Sequence, residues 1–181
     1  MSNVDIAKIY GIGAEFKNPT ALYEAAEKVR DRGFKFWDVY SPFPIHGMDG
    51  AMGLGKSWVS ALSLIGGVTG FTTGLLLETI TSVYVYPMVV QGKPFFSLPA
   101  FFPVMFELTI LFTAFATVGG MFLINMLPRW HHPVFNWERF TKATDDGFFI
   151  VIETIDPRFD GPNTAAFLNS LGGTNITYIS K

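Results

Sequence analysis

Four groups of residues in this 181-residue sequence are of a type and spacing that can do chemistry. Gly50-Ala-Met-Gly-Leu-Gly55-Lys56-Ser57 matches the spacing G-x-x-x-x-G-K-[ST] letter by letter, the pattern of a loop whose backbone amides cradle phosphates. That loop needs a buried strand before it and a soluble helix after it. Here a Pro-containing stretch, Ser41–Asp49, precedes the match and a long apolar run follows at once, so Lys56 is better explained as a charged anchor beside a membrane. The apolar run ending in Glu153 has the look of a magnesium-binding strand but is more simply a core strand. The three histidines, His46, His131 and His132, all lie outside the apolar windows. Axial ligation of a haem b between membrane helices is therefore not expected of this chain alone. Adjacent His131 and His132 are also poorly placed to share one metal. The absence of cysteine excludes c-type haem attachment, a thiolate zinc site, a disulfide framework and a cysteine-ligated iron–sulfur cluster.

The fourth group is Glu78 and Glu107, and their surroundings make them conspicuous. Glu78 is the only charged residue between Lys56 and Lys93, and Glu107 the only one between Lys93 and Arg129. Each window holds about 35 residues, where roughly 20 cross a hydrocarbon core. Both read as membrane spans, one stopping at Pro87 and the other at Pro128, with Gln91-Gly92-Lys93-Pro94 as the turn between them. Trp58, Tyr84, Tyr86, Phe95, Phe96 and Trp130 supply interfacial aromatics. Glu78 follows Lys56 by 22 positions and Glu107 precedes Arg129 by 22. Equal spacing predicts equal depth, about 33 Å along each helix. That suggests a carboxylate pair or proton-exchange point near the outer face; the simpler reading is a hydrated or partner-paired carboxylate at each position. Gly66, Gly70 and Gly74 recur at every fourth position, as do Ala116 and Gly120, and Thr113 and Thr117. Small residues at this spacing let helix backbones approach closely. From sequence they serve equally well for packing the hairpin on itself or on another subunit.

The remaining composition fits a chain divided between lipid and water. Charged residues make up 15%, against roughly 25% in an ordinary soluble domain. The 19 phenylalanines exclude disorder, and a net charge of −2 argues against a nucleic-acid partner. Seven lysines and arginines precede the first span, five follow the second, and Lys93 alone lies between, which predicts cytoplasmic termini and a short outer loop. The opening MSNVDIAKIYGIG lacks the basic-then-apolar pattern of a secretory signal.

The two polar ends have the same order of elements. Lys8–Phe16 alternates as a strand, Asn18-Pro19 starts a helix carrying Leu22, Ala25, Ala26 and Val29, Gly33 ends it, and Phe34–Tyr40 alternates again. Phe148–Ile155, Thr164–Leu171 and Asn175–Ile179 repeat strand, helix, strand. Neither half is large enough to bury a core alone. The expectation is an α+β membrane protein: a two-helix transmembrane hairpin inserted between two βαβ halves of a ferredoxin-like cytoplasmic domain. Two independent caps are the alternative. The boundaries are 1–45 for the first half, 46–56 for a connecting loop, 57–127 for the hairpin, 128–146 for a connector and 147–181 for the second half. Within the hairpin the spans fall at about 57–86 and 100–127, with an outer loop at 87–99.

Several motifs together resemble a known family. They are Tyr10-Gly-Ile-Gly-Ala-Glu-Phe, Pro42-Phe-Pro-Ile-His46-Gly-Met-Asp49, Pro99-Ala-Phe-Phe-Pro103, Phe106-Glu107-Leu-Thr109, His132-Pro-Val-Phe, Thr144-Asp-Asp-Gly-Phe-Phe and Asp156-Pro-Arg-Phe. The chain resembles, over nearly its whole length, the D subunit (ActD) of alternative complex III, a bacterial quinol:electron-acceptor oxidoreductase of the inner membrane. The resemblance implies a non-catalytic subunit without cofactors of its own. Haem c and iron–sulfur clusters would belong to multihaem cytochrome and iron–sulfur subunits, and quinol oxidation to polytopic NrfD-like subunits that this chain stabilises and caps on the cytoplasmic side. It places Glu107 in a family motif, Glu78 less clearly so. The loop holding His46 and Asp49 would close the junction between domain and membrane. The competing reading is a stand-alone membrane sensor or transporter accessory whose ferredoxin-like domain binds a small ligand.

Overall fold

The computed structural model describes residues 8–181, so the first seven residues of the stretch read for a signal pattern lie outside the described residues. The chain forms two compact units. One is built from residues up to Gly55 together with Trp130–Lys181, the other from Lys56–Arg129.

The first unit is a mixed α/β layer on a four-stranded antiparallel sheet. Its strands are β1 (Ile9–Phe16), β2 (Trp37–Tyr40), β3 (Phe148–Glu153) and β4 (Thr174–Ser180), in the spatial order β2-β3-β1-β4. The central pair joins the two ends of the chain, with Gly11 opposite Glu153 and Phe16 opposite Phe148. Period-two alternation sends Ile12, Ala14, Phe16, Phe148, Ile150 and Ile152 to one face. There they meet Leu22, Ala25 and Val29 of α1 (Pro19–Asp31) and Leu168 of α5 (Gly161–Ser170). Asn18 caps α1 by accepting the Ala21 N–H at 2.8 Å. Between the two, α2 is the single turn-and-a-half Met48–Met52.

The opposite face is covered as well, by the stretch expected to be a mere connector. Two 3₁₀ turns, Pro133–Asn136 and Glu138–Thr144, lay Val134, Trp137, Phe140 and Ala143 over Phe149, Val151 and Ile179. Trp137 packs edge-on to Phe149 at 5.0 Å and lies against Gly13, where an added methyl carbon would stand 2.8 Å from indole Cε3. Double coverage explains why β3 reads Phe-Phe-Ile-Val-Ile without alternation.

Several element boundaries differ from the sequence expectation; β3 stops at Glu153 rather than Ile155, β4 runs Thr174–Ser180 rather than Asn175–Ile179, and the second membrane-length helix starts at Leu98 rather than Ala100. β2 begins at Trp37 rather than Phe34, because Lys35 and Phe36 donate their N–H groups to Asp156 Oδ2 at 2.5 and 2.8 Å instead of pairing in the sheet. α5 starts at Gly161, with Pro162 in the first turn where its missing N–H costs nothing. The second membrane-length helix ends at Ile124 rather than Leu127.

That second unit contains α3 (Val59–Thr79), extended by a π-helical turn (Ile80–Val85), and α4 (Leu98–Ile124). Each continuous helix runs 27 residues, and only 17% and 11% of their most apolar windows are buried, unlike core helices of a soluble protein. At 1.5 Å per residue either is long enough to cross a ~30 Å hydrocarbon core.

Asp156 ties the halves of the first unit together. It is 4% exposed, and besides Lys35 and Phe36 it accepts the Arg158 N–H on Oδ1 at 2.8 Å. Burial pushes its carboxyl up, but these N–H donors and the nearby Arg158 charge more than offset that and hold it below the usual carboxylate range. A depressed folded-state value stabilises the fold above the unfolded carboxylate range and is lost as pH falls through the folded value. We expect Asp156→Ala to cost about 2–3 kcal/mol at pH 7. In thermal unfolding of the full chain in detergent the gap from the unsubstituted protein should narrow on acidification below about pH 4. A gap constant with pH would show that the charge does not matter.

Candidate functional site

The small residues of α3 are spent on its own hairpin. Gly66, Gly70 and Gly74 are the buried residues of that helix. A methyl carbon at Gly74 would stand 2.9 Å from Met105 Cα, one at Gly70 would stand 2.7 Å from the Leu108 carbonyl carbon, and one at Gly66 would stand 2.7 Å from the Phe112 carbonyl oxygen and 2.5 Å from Ala116 Cβ. Gly120 receives Leu62, whose Cδ1 would be 2.7 Å from an added methyl carbon. Backbones this close leave no room for a β-carbon. Ser63 and Thr117 join their hydroxyls across the interface at 2.6 Å. Thr109, Thr113 and Thr117 each donate to the carbonyl four residues earlier, so their hydroxyls need no outside partner.

This register separates the two glutamates. With Gly74 facing Met105, Glu78 lies at the level of Phe101, six positions from Glu107, or about 9 Å along the axis. The equal-depth expectation assumed equal helix ends, but packing is set by where the glycines meet α4. Glu78 is half-buried, with Oε2 enclosed and without a hydrogen-bond partner among the described residues. The Lys93 ammonium lies over the Phe101 ring at 5.4 Å. Glu107 is exposed on the outer side of α4.

The phosphate-loop match does not form that loop. Gly50 is inside α2, its carbonyl accepts Arg30 Nη1 at 2.9 Å, and Ala51 is fully buried. His46 and Asp49 are exposed beside it. The Asp49 carbonyl accepts the Leu54 N–H at 2.8 Å, closing the turn that leads toward Lys56.

His132 belongs to a polar network that the sequence reading missed. Its Nδ1 accepts the Val134 N–H at 3.3 Å, capping the first 3₁₀ turn. That assigns the ring proton to Nε2, which faces Tyr10 Oη at 3.3 Å, and Tyr10 in turn donates to Glu153 Oε1 at 2.8 Å. Burial and the neighbouring Glu153 push the Tyr10 phenol up. Burial, with Asp38 and Glu153, does the same to Tyr40. The β1–β4 register shifts between Ile9 and Gly11, the stretch that holds Tyr10, and no sequence pattern announces it. Among the described residues no three His, Cys, Asp or Glu side chains are grouped to hold a metal ion.

A mixed α/β unit on a four-stranded antiparallel sheet, joined in one chain to two helices long and apolar enough to cross a membrane, is the architecture of a membrane-associated protein. The family model for alternative complex III, ActD subunit, matches residues 10–178, and the chain belongs to that family. It is accordingly a subunit of alternative complex III, a respiratory electron-transport complex. No curated protein matches the chain.

The hairpin register is open to direct measurement, because the chain has no cysteine of its own. Ser63→Cys with Thr117→Cys should form an intramolecular disulfide under mild oxidation in membranes, and adding Gly70→Ile should abolish it by forcing α3 away from Leu108. Cross-linking that survives Gly70→Ile would contradict the close approach.

Proposed function

We propose that this chain is a non-catalytic, cofactor-free membrane subunit that stabilises the polytopic, NrfD-like quinol-oxidising subunits of its complex and caps them on the cytoplasmic side. The observation that carries the reading is the extent of the family match, residues 10–178, which takes in both the α/β unit and the hairpin. On this reading the hairpin (57–127) is an insertion between two halves of a ferredoxin-like domain (1–45 and 147–181). Support comes from the antiparallel order β2-β3-β1-β4, in which each half contributes one central and one edge strand. The lysine and arginine distribution supports cytoplasmic termini, an outer loop at 87–99 and insertion in the bacterial inner membrane. Haem c and iron–sulfur clusters sit on partner subunits, and the loop with His46 and Asp49 serves the junction of domain and membrane. Glu107 and Glu78 act separately in any share the chain has in proton handling.

A tag placed after Lys181, with purification from native membranes in mild detergent, tests the assignment. Co-purification of multihaem, iron–sulfur and polytopic chains with a haem c spectrum and quinol oxidation is the expected result; a colourless, solitary protein overturns it. In the same preparation Glu107→Gln and Glu78→Gln should leave assembly intact and lower proton-coupled turnover. Unchanged turnover and pH dependence in both variants removes the proton role and leaves the structural one.

A further inference from the structure

The α/β unit carries a second feature, built from residues other than those of the Tyr10–His132 network. A concave site of about 360 Å³ opens between the end of α1 and the start of α5, lined by Arg32, Phe34, Arg158, Asp160, Asn163 and Phe167. Its two guanidinium groups come from opposite halves of the chain and are held in place. Arg32 lies over the Phe167 ring at 4.6 Å, and Phe167 is stacked on Phe34 at 6.0 Å. Arg158 donates through Nη1 to the Arg32 carbonyl. Its backbone is anchored by Asp156, and its guanidinium lies against Gly33, where a β-carbon would come within 2.9 Å of Cζ. Gly33 is at φ +84°, so glycine is favoured there twice, for the turn and for the arginine's seat.

No carboxylate among the described residues forms an ion pair with either guanidinium. The ion pairs among the described residues use Arg30 with Asp31 and Arg139 with Glu15, not Arg32 or Arg158. Asp160 is the one carboxylate in the lining, and its Oδ2 accepts the Asn163 amide at 2.7 Å. Asp156 acts on the Arg158 charge, but its oxygens are taken by the Lys35, Phe36 and Arg158 N–H groups. Both guanidinium forks are left without a carboxylate bound to them, and guanidinium groups match tetrahedral phosphate oxygens in geometry. We propose that Arg32 and Arg158 form a binding site for a phosphate group, from a lipid headgroup diester or a free phosphate-bearing metabolite.

The test uses the delipidated full-length chain in a phosphate-free sugar detergent, titrated calorimetrically with inorganic phosphate at constant ionic strength. Saturable one-to-one binding is expected. Arg32→Gln and Arg158→Gln should each weaken it about tenfold, the order of one charge-assisted hydrogen bond, while Arg139→Gln, whose guanidinium is already paired, should leave it unchanged. Far-UV circular dichroism of each variant confirms that the fold survives. Repeating the titration in phosphatidylcholine nanodiscs with and without phosphatidylglycerol separates the sources. Competition by phosphatidylglycerol, lost in the arginine variants, identifies the lipid headgroup; indifference to it identifies a soluble phosphate. Absence of saturable binding, or binding unaltered in both arginine variants, overturns the proposal.

Discussion

The pairing of β1 with β3 is the constraint on which the α/β unit depends. It joins residues about 140 positions apart, Gly11 to Glu153, and both core clusters are built on that pair of strands. Without it the sheet falls into two separate two-stranded ribbons, β2 with β3 and β1 with β4. Closing so long a loop costs entropy that grows only slowly with length. The hairpin reduces the practical distance further, because α3 and α4 run antiparallel and place Leu62 against Gly120, near where the chain enters and leaves that unit.

Two devices lock the closed sheet. Asp156 collects N–H groups from both halves, and Trp137 seals the second face where Gly13 leaves space for its ring. Their chemistry differs. Trp137 contributes buried area, which is insensitive to pH. Asp156 contributes charge-assisted hydrogen bonds, which depend on its ionisation. The same loop that positions Asp156 also orients Arg158, so sheet closure and the guanidinium pair have one structural origin.

In the hairpin the corresponding constraint is backbone proximity. Lipid offers no hydrophobic drive for one apolar helix to leave it for another, so close packing and polar contacts must hold α3 to α4. The glycine ridge and the Ser63–Thr117 hydroxyl pair meet that need. Their consequence is that the glycines are no longer available to a partner subunit. What remains for partners is the outer surface, where Glu107 interrupts an otherwise apolar face that includes Phe102, Phe106 and Ile110.

The sequence by itself determined the membrane-length helices, the strand–helix–strand order at each end, the α1 cap at Asn18 and the motifs that mark the family. These follow from local rules: charge-free length, hydrophobic period and capping chemistry act within a few residues of one another. Only the tertiary structure decided the matters that involve residues far apart. It showed that both βαβ halves share one sheet, that residues 133–144 cover its second face, and that Asp156 draws Lys35 and Phe36 out of a strand they otherwise fit. It also set Glu78 and Glu107 at different levels, because helix register depends on which residues are small enough to touch and not on counting from the nearest lysine or arginine. The Tyr10–His132–Glu153 network and the Arg32–Arg158 pair belong to the same class: each unites side chains more than 100 positions apart, and no periodicity in a sequence encodes such a meeting.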